Sequence, residues 1–87
     1  MRLDKFLKVS RIIKRRTVAK EIANKGRILI NDRVAKSSSN VAIGDVVTIK
    51  FGNKTLTIKI KALLETTKKD VAEQMYDVVS ETYAEKF

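Results

Sequence analysis

At Gly26 the apolar residues of this chain change their period, and one type of secondary structure cannot accommodate both halves. Before it, Leu3, Phe6, Leu7, Val9, Ile12 and Ile13 recur at three- and four-residue steps, the stripe of a helix that buries one face. The run Arg15-Arg16-Thr17 interrupts that stripe. Thr17 is the expected N-cap of a second helix carrying Val18, Ala19, Ile22 and Ala23, with Gly26 as its left-handed stop. After Gly26 the period falls to two. Ile28, Ile30 and Val34 flank a tight turn at Asn31-Asp32, KSSSN reads as a loop, and Gly44-Asp45 and Gly52-Asn53 mark further reversals. Between them Val47, Ile49 and Phe51, then Leu56, Ile58 and Ile60, alternate with polar partners, as in an antiparallel sheet with one wet face. The last segment returns to helical spacing: Thr67 as cap, Asp70 in the first turn, then Val71, Met75, Val78 and Val79. The expectation is an α+β fold of two short N-terminal helices, a small antiparallel sheet and a C-terminal helix. It divides into a domain over residues 1–64 and an acidic helical extension over 65–87.

At 87 residues such a fold has room for a modest core and no second catalytic domain. The chain lacks Cys and His, which excludes thiol chemistry, imidazole bases and the usual zinc ligands. Scattered carboxylates form no acid–base pair, so no enzyme activity, cofactor or metal is expected. The opening MRLDKFLKVS carries charge at short intervals and has no apolar signal core, so a soluble cytoplasmic protein is the expectation. The net charge of +9 is uneven: residues 1–36 carry +9, residues 37–64 carry +3 and residues 65–87 carry −3. One end faces a polyanion, and the acidic face of Asp70, Glu73, Asp77 and Glu81 is expected to point away from it.

The stretch KRRTVAKEIANKGRILIN places Lys14, Arg15 and Arg16 at a helix start, where the dipole already carries positive charge. A bound anion there relieves that repulsion. Lys8, Arg11, Lys14 and Arg15 fall at helical spacing on a face opposite the apolar one, and Lys20 follows one turn after Arg16. Guanidinium groups at Arg2, Arg27 and Arg33 add bidentate phosphate binders. The plainer reading is a solvated basic face, with Arg2 pairing with Asp4, and Arg16 capping the first helix through its last carbonyls. Thr17–Lys25 is short for a DNA recognition helix and no dimerising element is visible, which favours RNA over a DNA-binding regulator. The aromatics form no stacking platform of the RNP kind, and Phe6 and Phe51 are expected in the core.

RLDKFL, KRRTVAKEIANKGRILIN, the Ala35-Lys36 pair before the serine turn, and IGDVVTI together resemble the S4 RNA-binding domain, in order over residues 1–51. The likeness extends through IKFGNKTLTI, TTKKD and MYDVV to the free-standing RqcP family, which is related to the fifteen-kilodalton heat-shock protein of ribosomes. That resemblance implies a factor of ribosome-associated quality control without chemistry of its own. Such proteins bind obstructed large subunits, contact ribosomal RNA and peptidyl-tRNA, and support an RqcH-type factor that adds C-terminal alanine tails. It also implies RNA contact by Arg2 and Arg16, to which the charge pattern adds Lys8, Arg11, Lys14, Arg15 and Lys20. The expected state is a monomer. A general ribosome-assembly or RNA-chaperone protein of the heat-shock type is the nearest alternative.

Overall fold

A computed structural model describes residues 1–65 and 68–83. Helix α1 spans Leu3–Val9 and helix α2 spans Arg16–Asn24. Strands β1 (Ile28–Ile30), β2 (Arg33–Val34), β3 (Val46–Phe51) and β4 (Lys54–Ile60) follow, then a short helix α3 (Lys69–Ala72) and strand β5 (Tyr76–Tyr83). The five strands form one antiparallel sheet in the order β2-β1-β3-β4-β5.

The alternation in β3 and β4 does what the sequence predicts. Val47, Ile49, Leu56, Ile58 and Ile60 face inward and meet Leu3, Phe6 and Leu7 of α1 and Ala19 and Ala23 of α2. Register aligns them in rows, Ile28 beside Ile49 beside Leu56, and Ile30 beside Val47 beside Ile58. Asn31 and Asp32 both take left-handed φ, at 51° and 67°, as a two-residue hairpin turn with matching twist requires. Asn31 also ties the hairpin to the next strand: its Oδ1 accepts from the Val46 amide at 3.0 Å and its Nδ2 donates to Asp45 at 3.2 Å. Gly26, at φ 74°, ends α2 with amides of Gly26 and Arg27 donating back to Ala23 and Ile22, as expected of a left-handed stop.

Three expectations are corrected. The first helix ends at Val9, because Arg11 turns to a left-handed φ of 63° and its amide donates to Lys8. Ile12 and Ile13 therefore reach the core from a turn. Helix α2 begins at Arg16 with extended Arg15 as its N-cap, so Thr17 lies inside its first turn. The C-terminal helix is confined to Lys69–Ala72, and Tyr76–Tyr83 is a strand. Unpaired backbone along β4 supplies the reason: β5 satisfies it over its whole length, and Tyr76, Val78, Val79, Thr82 and Tyr83 suit a strand. The Thr67 cap lies outside the described residues.

Candidate nucleic-acid interface

The serine turn that the sequence offers only as a loop anchors the start of α1. Leu3 and Asp4 donate their amides to the carbonyls of Ser39 and Ser37 at 2.7 and 3.1 Å, and Val41 donates to Met1 at 2.9 Å. Arg2 bridges to Asn40 as a short antiparallel pair. The backbone at Arg2 is thereby fixed, and the helix that follows aims Asp4 inward until its side chain is 0% exposed.

A buried carboxylate needs partners, and Asp4 has two guanidinium groups. Arg2 donates through Nη2 to Oδ2, and its Nε makes an ion-pair contact with Oδ1, both at 3.3 Å. Arg16, from the first turn of α2, donates through Nη2 to Oδ1 at 3.3 Å, and its Nε makes an ion-pair contact with Oδ2 at 3.2 Å. The Lys5 amide adds a third donor at 2.8 Å. Burial alone raises the Asp4 pKa, but the Arg16 hydrogen bond, the Lys5 amide and the charges of Arg16 and Arg2 together hold it below its ordinary 3.8. The carboxylate stays ionised, and its two arginines stay cationic beside each other.

The arrangement has a direct electrostatic result. Two positive forks share one negative charge, so the cluster keeps an excess of +1. The side chains of Arg2 and Arg16 remain 48% and 44% exposed, which leaves part of each guanidinium facing solvent from a fixed position. Forks held this way have already lost the rotamer freedom that phosphate binding otherwise costs.

Of the other predicted cations, Lys8 lies one turn after Asp4 on α1, and Lys20 one turn after Arg16 on α2, both exposed. Lys14 and Arg15 are exposed in the link that enters α2, whose first turn holds no acid and whose N-cap makes no side-chain bond. Arg11 departs from the set. The turn at the end of α1 sends it to the opposite end of that helix, where it lines a groove with residues of β3, β4 and β5. Arg16 does not cap the last carbonyls of α1; it crosses to the helix start instead. Sequence reasoning finds the Arg2–Asp4 pair and misses the second arm, since Arg16 is twelve residues from Asp4 and only the packing of α1 on α2 joins them.

Comparison with known proteins shows the family. The family model of the S4 domain matches residues 1–47. A Streptococcus pneumoniae protein named RQC P-site tRNA stabilizing factor is 57% identical over 86 residues, covering 99% of this chain and 98% of that protein. A Bacillus subtilis protein of the same name is 57% identical over 81 residues, covering 93% of this chain and 94% of its own. Among solved structures, Vibrio cholerae Heat Shock Protein 15, a trimer, superposes with a TM-score of 0.84 at 31% identity, covering 92% of this chain and 82% of that one. With the S4 domain matched over more than half its length and relatives this similar end to end, the chain belongs to the S4-domain family of RQC P-site tRNA stabilizing factors.

Proposed function

We propose that this protein is an RNA-binding factor of ribosome-associated quality control that holds peptidyl-tRNA on obstructed large ribosomal subunits. The observation that carries the reading is the pair of guanidinium forks fixed side by side on buried Asp4. Phosphates of ribosomal RNA and of the tRNA dock on Arg2 and Arg16. Lys14 and Arg15 hold an anion at the free start of α2, and Lys8 and Lys20 flank it. The protein acts in the cytoplasm, as a monomer, by positioning alone. It supports an RqcH-type factor in adding alanine to the stalled chain, and neither cofactor nor bond-making residue enters its role. The names of the relatives and the basic face support this reading.

Sedimentation of lysate through a sucrose gradient tests it. The tagged protein is expected with large subunits that carry peptidyl-tRNA, and the Lys14→Ala/Arg15→Ala variant near the top. These two exposed residues lie outside the Asp4 cluster, so their loss leaves the fold intact. Co-migration with subunits irrespective of peptidyl-tRNA would favour a general assembly role, and wild-type protein at the top would remove the ribosome from the account.

A further inference from the structure

The sheet has a second face, turned away from the core. Between the buried Val47, Ile49, Leu56 and Ile58, the residues Thr48, Lys50, Thr55, Thr57 and Lys59 point outward, half-buried or exposed. Strand pairing continues this face sideways: Thr57 lies beside Ser80, Thr55 beside Thr82 and Lys59 beside Asp77. Exposed Arg27, whose carbonyl accepts from the Lys50 amide at 2.9 Å, extends the Lys50 row. Toward β2 the face turns apolar, as Leu29 and Val34 continue the Thr48 row.

The register shift in β5 decides which side chains this face holds. Strict alternation from Asp77 would send Val79 and Glu81 outward as well. One extra residue breaks that alternation: Ile58 pairs with Val78 but Thr57 with Ser80, so Ser80 and Thr82 turn outward and Glu81 turns to the core side beside Leu56. There Glu81 accepts from Lys54 at 2.9 Å and from the Tyr83 hydroxyl at 2.7 Å. The bulge thus removes an acid from the open face and sets a hydroxyl in its place. Asp77 stays, and Lys61 contacts it at 3.4 Å. Arg27, Lys50 and Lys59 form no ion pair among the described residues, so three positive charges stand uncompensated. Arg27 and Lys50 are like charges on adjoining backbone, an arrangement that costs stability in a sheet.

Spacing selects the kind of anion. Lys59 lies opposite Val46, four residues along β3 from Lys50, which is roughly 13 Å of strand. No single phosphate reaches both lysines, so the face fits a line of anions. The hydroxyls among them are donors of the kind that meet phosphate and sugar in nucleic-acid contacts. An RNA duplex presents phosphates and 2′-hydroxyls across a wide, shallow minor groove, which an open sheet can approach. We propose that the outward face of β3, β4 and β5 binds the backbone of a second RNA helix, while the Asp4 cluster and the start of α2 hold the first on the other side. This rests on the RNA-binding reading above and deepens it: a small domain held between two RNA segments fixes their relative position.

Isothermal titration calorimetry of the full chain with a short blunt RNA duplex at low salt tests this by counting sites. Wild-type protein should bind two duplexes, and Lys50→Gln/Lys59→Gln only one. Lys14→Ala/Arg15→Ala should also bind one, through the sheet. Thr55→Val/Thr57→Val keeps the charge and suits a strand, and should weaken the sheet site about ten-fold through its lost hydroxyl bonds. A single duplex on wild-type protein that Lys50→Gln/Lys59→Gln retains overturns the sheet assignment and leaves RNA binding by the Asp4 cluster standing. Unchanged binding of both duplexes in the threonine variant overturns it too, since bare charge would then suffice. Wild-type protein that binds no duplex defeats the RNA reading itself, and this inference with it.

Discussion

Replacing Asp4 by Asn changes one oxygen for an amide nitrogen at the point where α1, α2 and the N-terminal strand bridge meet. The wild-type carboxylate receives three N–H donors, one each from Arg2, Arg16 and Lys5, and the Nε of each arginine stands in ion-pair contact with it. The asparagine keeps one accepting oxygen, and its NH₂ group confronts N–H donors. Removing one partner of a fully buried ion pair costs about 3–5 kcal/mol. Both arginines here are nearly half exposed and can turn to water, so the expected cost is about 2 kcal/mol. For a domain of this size that is a fall in melting temperature of roughly 8 to 16 °C at neutral pH. The pH dependence identifies the cause. The Asp4 pKa is lower folded than unfolded, so its contribution is complete above the ordinary 3.8 and disappears as pH falls through the folded value. Calorimetry across pH 2 to 7 should therefore show the gap between wild type and Asp4→Asn full near neutrality and closing in acid, in the window below about pH 4. A gap under about 2 °C at pH 7 would refute the reasoning, as would one that persists unchanged into acid.

Two further substitutions test the packing that supports this cluster. Phe6→Ala empties the centre of the helix–sheet core, where Phe6 is wholly buried, and should cost about 3–5 kcal/mol in urea unfolding. Asn31→Ala removes both the side-chain bonds to Val46 and Asp45 and a residue suited to left-handed φ, and should cost about 1–2 kcal/mol by the same measurement.

Local chemistry decides which parts of this fold are legible in the sequence. The Asn31-Asp32 turn, the Gly26 stop and the alternation through β3 and β4 depend on neighbours along the chain, and all three read correctly. The end of α1 does not, since the apolar spacing runs on to Ile13 and no glycine marks the turn that Arg11 makes. Strand β5 defeats periodicity in the same way. Met75, Val78 and Val79 fit a helix, while the pairing that makes a strand of them is written in the free edge of β4. The candidate site divides along the same line. Its positive charge is evident in composition, and the Arg2–Asp4 pair is two residues apart. The second fork from Arg16 depends on one helix packing on another, and the serine turn that pins Arg2 depends on carbonyls that any residue could supply.

The central claim is that Asp4 matters to RNA binding by holding two arginines in place, although it is itself an anion. Charge counting and geometry make opposite predictions for Asp4→Asn, which raises the net charge by one. The direct measurement is the affinity of purified wild-type and Asp4→Asn protein for large subunits carrying P-site tRNA, taken well below the melting temperature of the variant. The account predicts binding weaker by roughly ten-fold, as two freed guanidinium groups must be ordered again on each encounter. Equal or tighter binding would show that charge alone suffices and that the fixed pair has no role in recognition.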